Sequence, residues 1–121
     1  MADETARDRG KEMMRAVYGW DIEPDKPFEV ATVDHLFGEV WAEGELTVKE
    51  RRLLLLGLTV GTGQIDVAGL QADAAMKLGE FTAEELRSMT VFLAHYAGWP
   101  RAAAFNSQVE QIIARNDKTE G

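Results

Sequence analysis

Apolar residues recur along this chain at helical spacing, and no stretch alternates at period two over a strand length. Residues 3–18 put Ala6, Gly10, Met13, Met14 and Val17 on one face and Arg7, Asp8, Lys11, Glu12 and Arg15 on the other. Gly19 suits a helix C-cap, and residues 19–26 read as a loop. Pro27 suits a first helical turn, where its missing N–H is not needed. The stripe Val33, Leu36, Phe37, Val40 and Trp41 then carries a helix to about Ala42. Thr47 and Glu50 form a capping-box pattern. They open a helix to about Val60 whose run Leu53–Leu56 predicts burial on nearly every side.

Asp66 is placed to cap the next helix, which runs to Leu78 and closes at Gly79. Val67, Leu70, Ala74, Ala75 and Leu78 share one face of it, with Gln71 in the middle of that stripe. A second capping box, Thr82 to Glu85, opens a helix to Ala97 that buries Leu86, Met89, Thr90, Leu93 and Ala97, with Val91, Phe92 and His95 flanking. Gly98-Trp99-Pro100 breaks the chain. A last helix over about 101–115 aligns Ala102, Phe105, Val109, Ile112 and Ile113. The expectation is an all-α protein, a single domain over 1–121 with about six helices in an antiparallel bundle. Residues 1–2 and 116–121 are expected to be disordered.

Composition narrows the function classes. Thirteen basic against twenty-one acidic side chains give a formal charge of −8, the opposite of a nucleic-acid or polybasic membrane footprint. The absence of cysteine removes disulfides, thiol nucleophiles and cysteine-ligated zinc. The charged start MADETARDRG has no apolar core of the secretory type, and the leucine run is too short to span a bilayer. A soluble cytoplasmic protein is expected.

Few residues carry chemistry. His35 and His95 have no metal-pair spacing, and no glycine-rich phosphate loop or serine elbow is present, so no metal or cofactor is expected. Gln71 stands out. An amide on a core face must find a partner or line a cavity, because burying it unpaired costs about 1–3 kcal/mol. Arg51 and Arg52 open the leucine-rich helix, and Arg51 shares a face with Leu54, Leu55 and Leu58. A partly buried arginine there either pairs with a carboxylate, Glu50 or Asp66 being candidates, or anchors an anionic ligand. Both readings stay open.

Several segments together resemble a known family. Arg9-Gly10 and Arg15-Ala16-Val17-Tyr18-Gly19 are followed by Phe37-Gly38-Glu39-Val40-Trp41, Leu46 and Arg51. Gly79, Thr82-Ala83-Glu84-Glu85 and Tyr96-Ala97-Gly98-Trp99-Pro100-Arg101-Ala102-Ala103 complete the pattern. The chain resembles the carboxymuconolactone decarboxylase family, whose superfamily includes the alkylhydroperoxidase AhpD proteins. The resemblance implies an AhpD-like helical protomer in a homo-trimer or homo-hexamer, with sites near subunit interfaces. It also implies cofactor-free removal of carbon dioxide from a cyclic lactone by proton transfer.

Two departures matter. Without cysteine the thiol peroxidase chemistry of the redox branch cannot operate. Counted without gaps from Arg51 to Gly79, Gln71 stands where the decarboxylase branch carries its proton-donating histidine, and an amide is no general acid near neutral pH. The resemblance therefore leaves two expectations. One is a lyase or isomerase of altered chemistry acting on a small cyclic carboxylate or lactone. Its catalytic candidates are Gln71, His95 and Asp66, and its substrate-binding candidates are Arg51, Trp41 and Trp99. The other is a non-catalytic small-molecule binder or assembly subunit.

Overall fold

The computed structural model describes residues 5–120, with side chains to residue 117. The expected helix start at residue 3 and the expected disorder of residues 1–2 lie outside them, as does residue 121. The described residues are helical, with no strand among them. They fall into two compact units, one ending at Val48 and one beginning at Lys49.

In the first unit, α1 spans Ala6–Tyr18. The Thr5 hydroxyl accepts from the Asp8 N–H at 3.1 Å, and the Asp8 carboxylate accepts from the Thr5 N–H. Gly19 ends the helix at φ 76° and donates to the Arg15 carbonyl. After the loop, α2 (Pro27–Ala31) begins with proline in its first turn, and the Glu29 carboxylate accepts the N–H groups of Asp25 and Lys26. The sequence predicts that this helix continues as α to about Ala42. Instead it passes into a π-helical segment, Thr32–Trp41.

The wider winding has a consequence for packing. Bonding from i to i+5 turns each residue through a smaller angle than an α-helix does. Val33, Phe37, Gly38 and Trp41 stay inward, while Leu36 and Val40, expected in the same stripe, are turned out to 42% and 46% exposure. The segment packs on α1 backbone to backbone. A Cβ at Gly10 would lie 1.9 Å from the Val33 carbonyl oxygen, and one at Gly38 2.2 Å from that of Ala6. Arg7 grips Asp34 through two nitrogens, and Arg9 Nε donates to the Gly38 carbonyl.

The second unit holds α3 (Val48–Gly61), α4 (Ile65–Lys77), α5 (Ala83–Ala97) and α6 (Trp99–Glu120). Its core joins Leu56 and Val60 of α3, Ala68, Ala72 and Ala75 of α4, Leu86 of α5, and Phe105, Val109, Ile112 and Ile113 of α6. The expected register of α6 holds; on α5 Leu86 and Thr90 are buried as expected, Met89, Leu93 and Ala97 are half-buried against the core, and Ala94 is buried as well. The Thr82–Glu85 capping box forms with both of its bonds. Helix α6 runs to Glu120 rather than stopping near residue 115.

Two registers differ from the sequence expectation. Helix α3 is not buried all round: Arg52, Leu56, Thr59 and Val60 face in, while Leu53, Leu54 and Leu58 are exposed. The inward set has i, i+4, i+7, i+8 spacing, so one face suffices for the core and the remaining leucines are surplus to it. Helix α4 buries its small residues Ala68, Gly69, Ala72, Ala74 and Ala75 together with Gln71, and leaves Val67, Leu70 and Leu78 exposed. The reason is close approach. At Gly69 a Cβ would fall 1.8 Å from the Gln108 amide oxygen on α6, so small residues, not the largest apolar ones, fit that face.

Candidate functional site

The polar centre of the second unit begins with Arg52. The register that points Leu56 and Val60 into the core points Arg52 inward as well, one turn from the start of α3, and its side chain is fully buried. A buried guanidinium needs its donors satisfied and its charge matched. Glu80, in the short connection after Gly79, supplies the charge. Arg52 Nε and Nη2 donate to its two carboxylate oxygens at 3.0 and 3.1 Å, a planar fork-to-fork geometry. Arg52 Nη1 donates to Gln71 Oε1 at 2.9 Å.

Gln71 is thus a buried amide, 2% exposed, whose oxygen is aimed at a cation of the same chain. Helix α4 presents it because its small-residue face turns toward the core, and Gly79, at φ 71°, turns the chain so that Glu80 follows directly. The arrangement ties α3, α4 and the α4–α5 connection through one guanidinium. In the low-dielectric interior such a network is rigid when every member is satisfied.

The other sequence candidates lie elsewhere. Arg51 is half-buried, as expected, while its neighbour Arg52 takes the fully interior position. Asp66 does not cap α4. The helix starts one residue before it, with Gln64 at the N-cap position, because the chain turns at Gly63 (φ 78°). Asp66 is exposed in the first turn and accepts from Gln108 Nε2 at 3.2 Å. His95 is exposed near the end of α5. Its Nδ1 is 2.8 Å from the Val91 carbonyl oxygen, an acceptor only, so Nδ1 carries the proton in the neutral ring and Nε2 keeps its lone pair. Trp99, 64% exposed, meets the His95 ring edge-on at 5.7 Å. Trp41 belongs to the first unit, buried there and stacked on Phe37 at 5.6 Å.

The structure therefore brings His95 and Trp99 together, and Gln71 to Arg52. The residues missed from sequence are Arg52 and Glu80. The signal for Arg52 was present in the 52, 56, 59, 60 spacing on the inward face of α3. Glu80 had only its place between a helix-ending glycine and a capping box. Among the described residues no group of three or more histidines and carboxylates could hold a metal ion. None of the helices there is long and apolar enough to cross a membrane.

A model of the carboxymuconolactone decarboxylase family matches residues 27–111. No curated protein and no solved structure matches the chain.

Proposed function

The chain belongs to the carboxymuconolactone decarboxylase family, and from that membership we propose that it is a small-molecule-binding member in which position 71 does no proton transfer. The observation that carries this reading is the Arg52 bond to Gln71. The amide oxygen accepts from a guanidinium that Glu80 already neutralises, so Gln71 is held in place as an acceptor for a buried cation of its own chain. An amide in this role satisfies a buried donor. It has no proton to give near neutral pH, and the lack of cysteine leaves no thiol chemistry in its place.

A second reading keeps the enzyme. His95 offers an exposed imidazole whose Nδ1 is engaged by the Val91 carbonyl, beside the Trp99 ring. That is the equipment of a general base in a lyase or isomerase acting on a small cyclic carboxylate or lactone, with Arg51 as the candidate cation for a substrate carboxylate. In either reading the functional form is a single-domain homo-oligomer. Leu54, Leu58 and Val91, each around 60% exposed in the protomer, support association with further copies. Light scattering tests it, and a strict monomer would count against it.

Wild type, Gln71→Leu and His95→Ala are incubated with cyclic lactone carboxylates in deuterated water, and deuterium uptake and ring products are read by NMR. The binder reading expects no exchange or turnover in any of the three. Turnover that disappears in folded Gln71→Leu overturns it. Turnover that survives in Gln71→Leu and disappears in His95→Ala establishes the second reading.

A further inference from the structure

Two surfaces of helix α3 share Leu56. One turns Arg52 to the polar cluster. The other, formed by Leu53, Leu56 and Gly57, faces Met89, Phe92 and Leu93 of α5 across a cleft of about 260 Å³. Leu56 is part of the core and forms a fixed floor, while Leu53 and Phe92 stand exposed at the mouth. Gly57 opens the cleft: a Cβ built there meets nothing within 4 Å. In a helix interior glycine costs about 0.8–1 kcal/mol relative to alanine. No close neighbour accounts for it here, so its effect at this point is to leave space.

We infer that this α3–α5 cleft is a binding site for a small, uncharged, ring-sized hydrocarbon or aromatic group. The inference rests on the reading of the protein as a binder and adds where the ligand sits and what chemistry it has. Size sets one bound. An apolar cavity of about 150 Å³ is enough for benzene, and drug-sized ligands occupy roughly 300 Å³ or more, so this cleft fits a substituted monocycle or a small bicycle. Charge sets the other. All six lining residues are apolar, so a carboxylate placed among them would lose its hydration with no donor to replace it. The cleft thus excludes the charged end of a lactone carboxylate and selects the ring. Met89, unbranched and polarizable, and the Phe92 ring supply an adaptable wall for such a group. A concave space of this volume is also larger than one protruding aliphatic side chain fills, which favours a free ligand over a residue of a second copy.

The test uses toluene and benzoate, which share a ring and differ in charge, titrated into full-length protein with methyl-labelled methionine and read at the Met89 methyl. Toluene is expected to shift that signal saturably and benzoate to leave it in place at the same concentrations. Gly57→Leu places a side chain in the cleft from a position where a Cβ meets no atom within 4 Å, and it improves helix propensity; circular dichroism and the melting temperature check that it is folded. It is expected to weaken toluene binding at least tenfold. Equal binding of benzoate, or toluene binding unchanged in Gly57→Leu, overturns the assignment of the cleft. So does a Met89 signal that toluene never moves and that shifts instead with protein concentration, which means another copy fills the space. None of these outcomes bears on Gln71, whose role is read separately from deuterium exchange.

Discussion

Arg52 Nη1 lies 2.9 Å from Gln71 Oε1, and the same guanidinium is held on its other edge by both oxygens of Glu80. An arginine with no exposed surface is thereby matched by one charge and one dipole. The amide is the cheaper of the two partners to lose. Replacing Gln71 with leucine leaves a buried donor without that acceptor, which costs about 1–3 kcal/mol. Replacing Arg52 with methionine leaves Glu80 without its cation and costs about 3–5 kcal/mol. The double variant should lose clearly less than the sum, because Gln71 then has no cation to serve. Urea unfolding of the four proteins measures the cycle, and additive losses would mean the 2.9 Å contact contributes nothing.

Placing a histidine at this position is not expected to create a proton donor. In Gln71→His the introduced imidazole would be buried and would face Arg52, and both burial and a neighbouring cation disfavour its protonated form. Glu80 offers little relief, since its two oxygens are already bound to that guanidinium. The ring is therefore expected to stay neutral well below the usual value of about 6.5, and the variant to gain no lactone decarboxylation. NMR titration of the ring decides the point: a midpoint at or above the ordinary histidine value refutes the argument.

How much of this was legible in the sequence differs from element to element. The Thr82–Glu85 capping box, the glycine stops and the α6 stripe of Ala102, Phe105, Val109, Ile112 and Ile113 were readable because each is a local rule or a full-sized apolar face. Helix α4 was readable in extent, and Gln71 as buried, yet its stripe was misassigned. Hydrophobicity weights Val67 and Leu70 above Ala68 and Gly69, whereas the small pair is the one buried, with the Gln108 side chain of α6 lying against Gly69. Four leucines in a row hid the phase of α3, so the half-buried Arg51 was read as the candidate anchor and the full burial of Arg52 was missed. The π-winding of Thr32–Trp41 had no local signature. It answers to the fit of Gly10 and Gly38 against the opposing carbonyls, a pairing of residues distant in sequence.

Acid should loosen both units through identifiable carboxylates. The bond from Arg7 holds the Asp34 carboxyl below its ordinary value of 3.8, and the bonds from Arg87 hold Glu110 below 4.5. Glu29 is lowered by the N–H groups of Lys26 and Asp25, and Glu85 by that of Thr82. A depressed folded value means that the unfolded chain binds more protons in the acid range. The stabilisation is therefore complete above the ordinary values and disappears as pH falls through the lower folded ones. Asp34→Asn and Glu110→Gln should each flatten the fall in melting temperature below about pH 4.5 while changing little at pH 7, where exposed pairs contribute modestly. A slope identical to wild type in both variants would show that these pairs do not govern acid sensitivity.

Two glycines separate rigid from yielding contacts. At Gly10 the atoms in the way are the backbone carbonyl of Val33, at 1.9 and 2.7 Å from an added Cβ. Gly10→Ala must therefore push the π-helical segment off α1, and should cost at least the 1–3 kcal/mol typical of overpacking. At Gly69 the obstacle is the end of the Gln108 side chain, at 1.8 Å. That amide can swing away by giving up its bond to Asp66, an exposed hydrogen bond of about 0.5–1.5 kcal/mol. Alanine returns about 0.8–1 kcal/mol of helix propensity at the same site, so Gly69→Ala should come out close to neutral. Chemical denaturation of the two single variants checks the contrast. Equal losses would mean either that Gln108 cannot move or that the α1 contact with the π-helix gives way as easily as a side chain.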